Sequence, residues 1–256
     1  MAQASPYFEM LGPTGEFDFY RPPSEAKAFI LCLHGFGGSP YETRPAGEAF
    51  YKNGFAATCP LFPGHGIKDK KAAKKAFNQL TPQLLLEFVE EYLARKRREY
   101  KKVFVYGQSL GGIITYITAS RGWADAAATT VGPIFLPKGA GAITKLLGWS
   151  NITVPMFKPP LEKGWSYEFN AAKAGKAVVQ LAKMAIEAAP RITIPFFGCY
   201  SKKDFVSWRT GDYLEALSRT HPNFSIKWFP NSGHVMLLDH LGPQITQALV
   251  DFFLQI

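Results

Sequence analysis

The sequence predicts an α/β fold, a mostly parallel central sheet with helices on both faces and an inserted cap. Three observations carry this reading. Apolar runs without alternation, such as Ala28-Phe29-Ile30-Leu31-Cys32-Leu33, suit strands covered on both sides. Segments of helical period separate these runs along nearly the whole chain. At 256 residues, 47% hydrophobic and 19% charged, the chain can bury a sizeable core, which excludes a disordered polymer.

The elements follow in order. Two short strands, Tyr7–Met10 and Glu16–Tyr20, flank the turn Gly12-Pro13-Thr14-Gly15. The strand at 28–33 stops abruptly at His34-Gly35-Phe36-Gly37-Gly38, and a helix from Tyr41 to Asn53 ends at Gly54. A buried strand, Phe55–Pro60, leads into Pro63-Gly64-His65-Gly66. Thr81 and Pro82 supply a capping hydroxyl and a first-turn proline. Leu84, Leu85, Phe88, Val89, Tyr92 and Leu93 then recur on one helical face.

The strand Val103–Tyr106 runs into Gly107-Gln108-Ser109-Leu110-Gly111-Gly112 and a further helix. Later strands are expected at Ala127–Val131, Ile192–Tyr200 and Ser225–Phe229, and helices at Ala171–Ala188, Thr210–Ser218 and Gly242–Phe253. The interval 133–191 breaks the rhythm, being long, aromatic-rich and without an obvious strand. It reads as an insertion over the carboxyl edge of the sheet, a cap on a core of 1–132 and 192–256.

Gly107-Gln108-Ser109-Leu110-Gly111 lies between a short buried strand and a helix. A serine there sits on a strained turn, and small residues two positions either side let strand and helix pack closely. A serine hydroxyl is a weak nucleophile near neutral pH, so it needs a base and a carboxylate that orients the base. Of five histidines, His234 follows the last expected strand and so shares the carboxyl rim with Ser109. Asp204 follows the run Ile194–Tyr200 on the same rim, whereas Asp239 is read as the start of a helix. Two backbone donors are needed for an oxyanion, and Leu110 and Phe36 are the candidates. His34 is read as structural, holding its loop by hydrogen bonds.

With these pieces in their order, the chain resembles the α/β-hydrolase superfamily, and within it the bacterial carboxylesterase and monoacylglycerol lipase branch. The similar motifs are His34–Gly38, Pro63–Gly66, Gly107–Gly112, Asp204 and Ser232-Gly233-His234-Val235. The resemblance implies an ester hydrolase with Ser109, Asp204 and His234 as its triad, and no metal or organic cofactor. The substrate implied is a short- to medium-chain ester or a monoacylglycerol. Gly35 and Gln108, with Trp149, Met156, Phe157 and Trp165 of the cap, are the expected substrate-contacting residues. A thioesterase, a carbon–carbon hydrolase or a non-catalytic ligand receptor would use the same scaffold.

Composition raises one rival. Lys and Arg total 29 against 20 acids, a formal charge of +9. The basic residues gather in Arg95-Lys96-Arg97-Arg98 and in Lys68–Lys75, which read as a helix end and an exposed helix face. No aromatic–basic RNA-binding pattern accompanies them, so nucleic-acid binding is not expected. Weak contact with an anionic lipid surface stays open, as does the choice between monomer and homodimer. Cys32, Cys59 and Cys199 sit in apolar runs and read as buried thiols. The amino terminus lacks a signal-peptide pattern and no apolar stretch is long enough to span a membrane, so a cytoplasmic location is expected.

Overall fold

The structure, a computed structural model, describes residues 16–155 and 165–256. The strand expected at Tyr7–Met10 and the expected substrate-contacting residues Met156 and Phe157 lie outside the described residues.

Nine strands are present among those residues: β1 (Phe17–Phe19), β2 (Phe29–Leu33), β3 (Ala56–Cys59), β4 (Val103–Gln108), β5 (Ala126–Thr130), β6 (Thr153–Pro155), β7 (Phe169–Ala171), β8 (Phe196–Tyr200) and β9 (Phe224–Trp228). Seven form one sheet in the order β1-β3-β2-β4-β5-β8-β9, where β1 is antiparallel to β3 and every other pairing is parallel. The helices are α1 (Arg44–Lys52), α2 (Lys70–Phe77), α3 (Pro82–Arg97), α4 (Leu110–Ser120), α5 (Ala140–Leu147), α6 (Ala172–Ala188), α7 (Trp208–Ser218) and α8 (Gly242–Leu254).

Two apolar layers enclose the sheet, and the strands show why their sequences do not alternate. In β2, Phe29, Leu31 and Leu33 face the layer built with α3, α4 and α6, while Ile30 and Cys32 face the layer built with α1 and α8. Every side chain of such a strand leaves water, so both faces must be apolar. The three thiols are free and buried in this sheet.

Local chemistry sets the helix ends. The Thr81 hydroxyl accepts from Leu84 N–H at 3.1 Å and Pro82 opens α3. On that helix Leu86 is buried and Leu84 exposed, a small rotation of the expected stripe. The single helix expected from Tyr41 instead divides into a short turn, Pro40–Glu42, and α1. Pro45 explains the break, because a continuous helix would drive its ring into the Tyr41 carbonyl.

Between β5 and β8 the chain forms α5, the two-stranded antiparallel pair β6–β7, and α6. Strands of three residues are too short to leave a periodic signal, so the sequence showed none. α6 sets Ala174, Leu181, Ala185 and Ala188 into the same apolar layer as Ile113 and Ile117 of α4. By contrast α5 buries no residue. Among the described residues no helix is long and apolar enough to cross a membrane.

Phe104 stacks on Phe253 with ring centroids 5.2 Å apart and is fully enclosed in the α1–α8 layer. Phe104→Ala is expected to cost about 3–5 kcal/mol. Urea unfolding should show a lower midpoint with an unchanged slope.

Candidate active site

β3 lies on one side of β2 and β4 on the other, so the loops leaving β2 and β4 diverge and open a crevice at their carboxyl ends. A single residue, Ser109, connects the end of β4 to the start of α4, at φ 52° and ψ −110°. Such a backbone costs about 1–3 kcal/mol and persists only where its surroundings hold it. Here the Ser109 N–H donates to Thr130 O at 3.0 Å and the Gly111 N–H to His34 O at 3.1 Å. A Cβ on Gly107 would stand 2.2 Å from the Gly111 carbonyl, and one on Gly111 2.2 Å from Leu33 O. Only glycine fits either position.

Three side chains from three loops meet at this rim. His234 Nε2 is 2.9 Å from Ser109 Oγ, and His234 Nδ1 is 2.8 Å from Asp204 Oδ2. Asp204 is 2% exposed and also accepts from the Ser207 hydroxyl and from Val206 N–H. Burial pushes its carboxyl upward, but the hydrogen bond and charge of His234, with Ser207 and Val206, outweigh burial and hold it below its ordinary value. A serine, imidazole and carboxylate in this order can move a proton from Oγ to Nε2 while the carboxylate steadies the cation formed.

The loop after β2 is organised by two buried imidazoles. His34 Nε2 accepts from Phe62 N–H at 3.0 Å, which leaves Nδ1–H to donate to Gly35 O at 2.8 Å. His65 Nε2 accepts from Gly37 N–H at 3.1 Å, with Nδ1–H directed at Pro63 O. The Glu42 carboxylate accepts the Gly35 N–H. The amides on either side of Phe36 are therefore occupied. Neither the Phe36 nor the Leu110 amide meets an acceptor among the described residues. Two open donors beside a hydroxyl can stabilise a negative oxygen.

A small cavity of about 50 Å³ opens onto Ser109 and His234, and is lined by Gly35, Phe36, Gly38, Glu42, Trp165, Ser166 and Val235. Of the residues singled out in the sequence, Gly35, Phe36 and Trp165 line this cavity. Gln108 and Trp149 do not. Gln108 turns beneath the cavity, donating to the His234 carbonyl at 2.7 Å and accepting from the Thr130 hydroxyl, which bonds in turn to Tyr106 Oη. Trp149 is 76% exposed and its indole N–H closes on Leu146 O. Its short loop after α5 points it at solvent.

Sequence reasoning missed several contributors. Glu42 lines the cavity, with no motif to mark it. Asp239 does meet Leu241 N–H before α8, yet it also accepts from the Ser232 hydroxyl and Gly233 N–H, gripping the loop that carries His234. The Tyr167 hydroxyl accepts from Ile67 N–H and donates to Gly64 O, while Tyr167 N–H donates to Gly37 O at 2.7 Å. Among the described residues, no three His, Cys, Asp or Glu side chains converge as a metal site.

Comparison with known proteins identifies the scaffold. The sequence pattern of the alpha/beta hydrolase family matches residues 30–242. The chain belongs to that family. It is 24% identical over 259 residues to a thermostable monoacylglycerol lipase from Bacillus sp. (strain H-257), covering 99% of this chain and 95% of the lipase. One solved structure, from a study of LipS and LipT, two metagenome-derived lipolytic enzymes, superposes with a TM-score of 0.82 at 19% identity. That alignment spans 96% of this chain and 99% of the other. The Paleococcus ferrophilus monoacylglycerol lipase gives a TM-score of 0.75 at 16% identity, over 93% and 96% of the two chains. These similarities establish an alpha/beta hydrolase scaffold across nearly the whole chain.

Both organising imidazoles are held neutral within this scaffold. Burial lowers His65 to about 4, and burial followed by the charge of His65 lowers His34 well below its ordinary value. As pH falls from 6.5 toward 4, the unfolded chain takes up protons that folded His65 refuses, so stability declines across that window. For His65 the loss is on the order of 3 kcal/mol by the low end. Unfolding curves collected across this range should show the decline, and His65→Gln should make it shallower. Asp204 adds its loss only at lower pH, below the ordinary carboxylate range.

Proposed function

We propose that this protein is a serine hydrolase that cleaves carboxylic esters through an acyl-serine intermediate. The observation that carries this reading is the Ser109–His234–Asp204 hydrogen-bonded chain beside two open amides. Ser109 Oγ attacks the ester carbonyl as His234 takes its proton, and the Phe36 and Leu110 amides receive the oxyanion. His234 then protonates the departing alcohol. Water enters, loses a proton to His234, and releases the acid from Ser109. Buried Asp204 holds the Nδ1–H tautomer and balances the imidazolium.

Relatives named as monoacylglycerol lipases favour monoacylglycerols within the expected class of short- to medium-chain esters. The family scaffold also carries thioester and carbon–carbon cleavage, so matched ester, thioester and diketone substrates separate these chemistries. Residues 133–191 act in this reading as a cap, closed over the oxyanion loop through Tyr167. Trp165 packs against Tyr41 with tilted rings, centroids 5.9 Å apart, and walls the cavity.

Purified protein should hydrolyse short nitrophenyl esters and take up a fluorophosphonate probe on Ser109. Ser109→Ala should lose at least about a thousandfold in turnover, and Asp204→Asn about ten-thousandfold with the fold intact. Full turnover by Ser109→Ala would remove the assignment, and failure of the probe to label would favour a ligand receptor.

The cap also supports weak adsorption to an anionic lipid surface. Ile143, Leu146, Trp149, Ile152 and Val154 are exposed, and residues 133–155 contain Lys138 and Lys145 with no acid. Co-sedimentation with vesicles containing phosphatidylglycerol should exceed that with neutral vesicles. Trp149→Ser with Leu146→Ser should abolish the difference in bound fraction.

A further inference from the structure

The Phe36 amide, one of the two proposed oxyanion donors, sits in a turn whose shape its own sequence does not fix. Gly38 N–H donates to Gly35 O at 3.1 Å, so Gly35-Phe36-Gly37-Gly38 closes as a four-residue turn with Gly37 at φ 69°. A positive φ at the third position but not at the second is the type II pattern, and glycine there moves readily to other conformations. Bonds from outside must therefore hold the turn. His34 and His65 supply two from the core, at Gly35 O and at Gly37 N–H.

Tyr167 supplies another from the cap. Its N–H donates to Gly37 O at 2.7 Å, so Gly37 is gripped by His65 at its N–H and by Tyr167 at its carbonyl. The same residue reaches the second loop. Its hydroxyl accepts from Ile67 N–H at 3.1 Å and donates to Gly64 O at 3.0 Å, bracketing His65. Its ring lies 7° from parallel to the His65 imidazole, centroids 6.1 Å apart. Seating a cap on a core needs only an apolar ring, and Tyr167 has that contact in Phe77 and Phe169. Its directed bonds fall instead on backbone atoms of the two loops that shape the oxyanion turn.

We propose that Tyr167 is a positioning residue for the reaction: through Gly37, Gly64 and Ile67 it lets the cap aim the Phe36 amide at the oxyanion. It takes no part in the Ser109–His234–Asp204 chain. A donor of this kind acts only within hydrogen-bond distance of the oxygen as charge develops, so a loosened turn slows turnover without weakening substrate binding. This role rests on the hydrolase reading above.

Tyr167→Phe keeps the ring and the backbone bond and removes both hydroxyl contacts. Active sites are counted by the fluorophosphonate, and rates are measured on nitrophenyl butyrate with the full chain. Loss of a whole donor costs about a hundred- to a thousandfold, so kcat per site should fall about tenfold, with KM within about twofold. An alkyl trifluoromethyl ketone gives the second readout. Ser109 Oγ bonds to its carbonyl carbon, the serine proton passes to His234, and the carbonyl oxygen becomes an oxyanion. The Ki of this ketone should rise by the factor through which kcat/KM falls. The matching secondary alcohol forms no oxyanion and should bind variant and wild type equally. A merely structural tyrosine would weaken ketone and alcohol alike, or lower the number of active sites with kcat per site unchanged. Either result, or an unchanged kcat, overturns the proposal. Tyr167→His, whose ring is too short to span both Gly64 and Ile67, is the second variant should Tyr167→Phe not fold. Tyr100→Phe removes a hydroxyl bond to Arg21 O before the amino end of β4, and should leave every readout unmoved. Retained turnover by Ser109→Ala overturns the hydrolase reading itself, whatever Tyr167→Phe does to the ketone-to-alcohol ratio.

Discussion

The turn from β4 into α4 is made in one residue, and the rest of the site is arranged around that constraint. With no connecting loop, the strand and helix backbones nearly touch, which excludes any Cβ at Gly107 or Gly111. The same compression puts Ser109 at positive φ and lifts its hydroxyl clear of the sheet. Val131 is the other non-glycine at positive φ among the described residues, at 46°. It follows Thr130, whose carbonyl receives the Ser109 N–H. Strain is thus gathered at two adjacent strand ends, where parallel pairing on both sides holds it in place.

Around this turn, buried polar groups act as fixed struts. Tyr106, Thr130 and Gln108 form a hydrogen-bonded chain that ends on the His234 carbonyl, linking the elbow strand to the loop of the proposed base. Asp239 grips that loop from its other side, and Ser207 steadies Asp204. His34 and His65 serve as neutral acceptors because burial keeps them unprotonated. Each strut satisfies a group that would be costly to bury alone, so the geometry is held without a ligand.

Charge is divided between surface and site. The basic run closing α3 meets the negative end of that helix, and Arg97 pairs with Asp125 at 3.0 Å. Lys70, Lys71 and Lys75 on α2 face solvent. These cations lie at a helix end and on an exposed helix face. The cavity beside Ser109 is lined instead by Glu42.

What could be read from sequence alone was whatever local physics dictates. Strands buried on both faces show as unbroken apolar runs, Thr81-Pro82 and Gly54 mark helix ends, and the glycine pattern around Ser109 announces a one-residue turn. Chain order on a parallel sheet then brought Ser109, His234 and Asp204 to a common rim. The tertiary structure decided matters that rest on distant neighbours. Gln108 turned toward His234 rather than the cavity, Asp239 reached back across its loop, and Tyr167 clasped residues about a hundred positions away. Glu42 entered the site only because Pro45 breaks the expected helix and leaves the preceding turn packed against Gly35. Backbone periodicity is a property of neighbouring residues. The direction of one buried polar side chain is set by whichever partner the completed fold leaves within reach, and no local pattern records it.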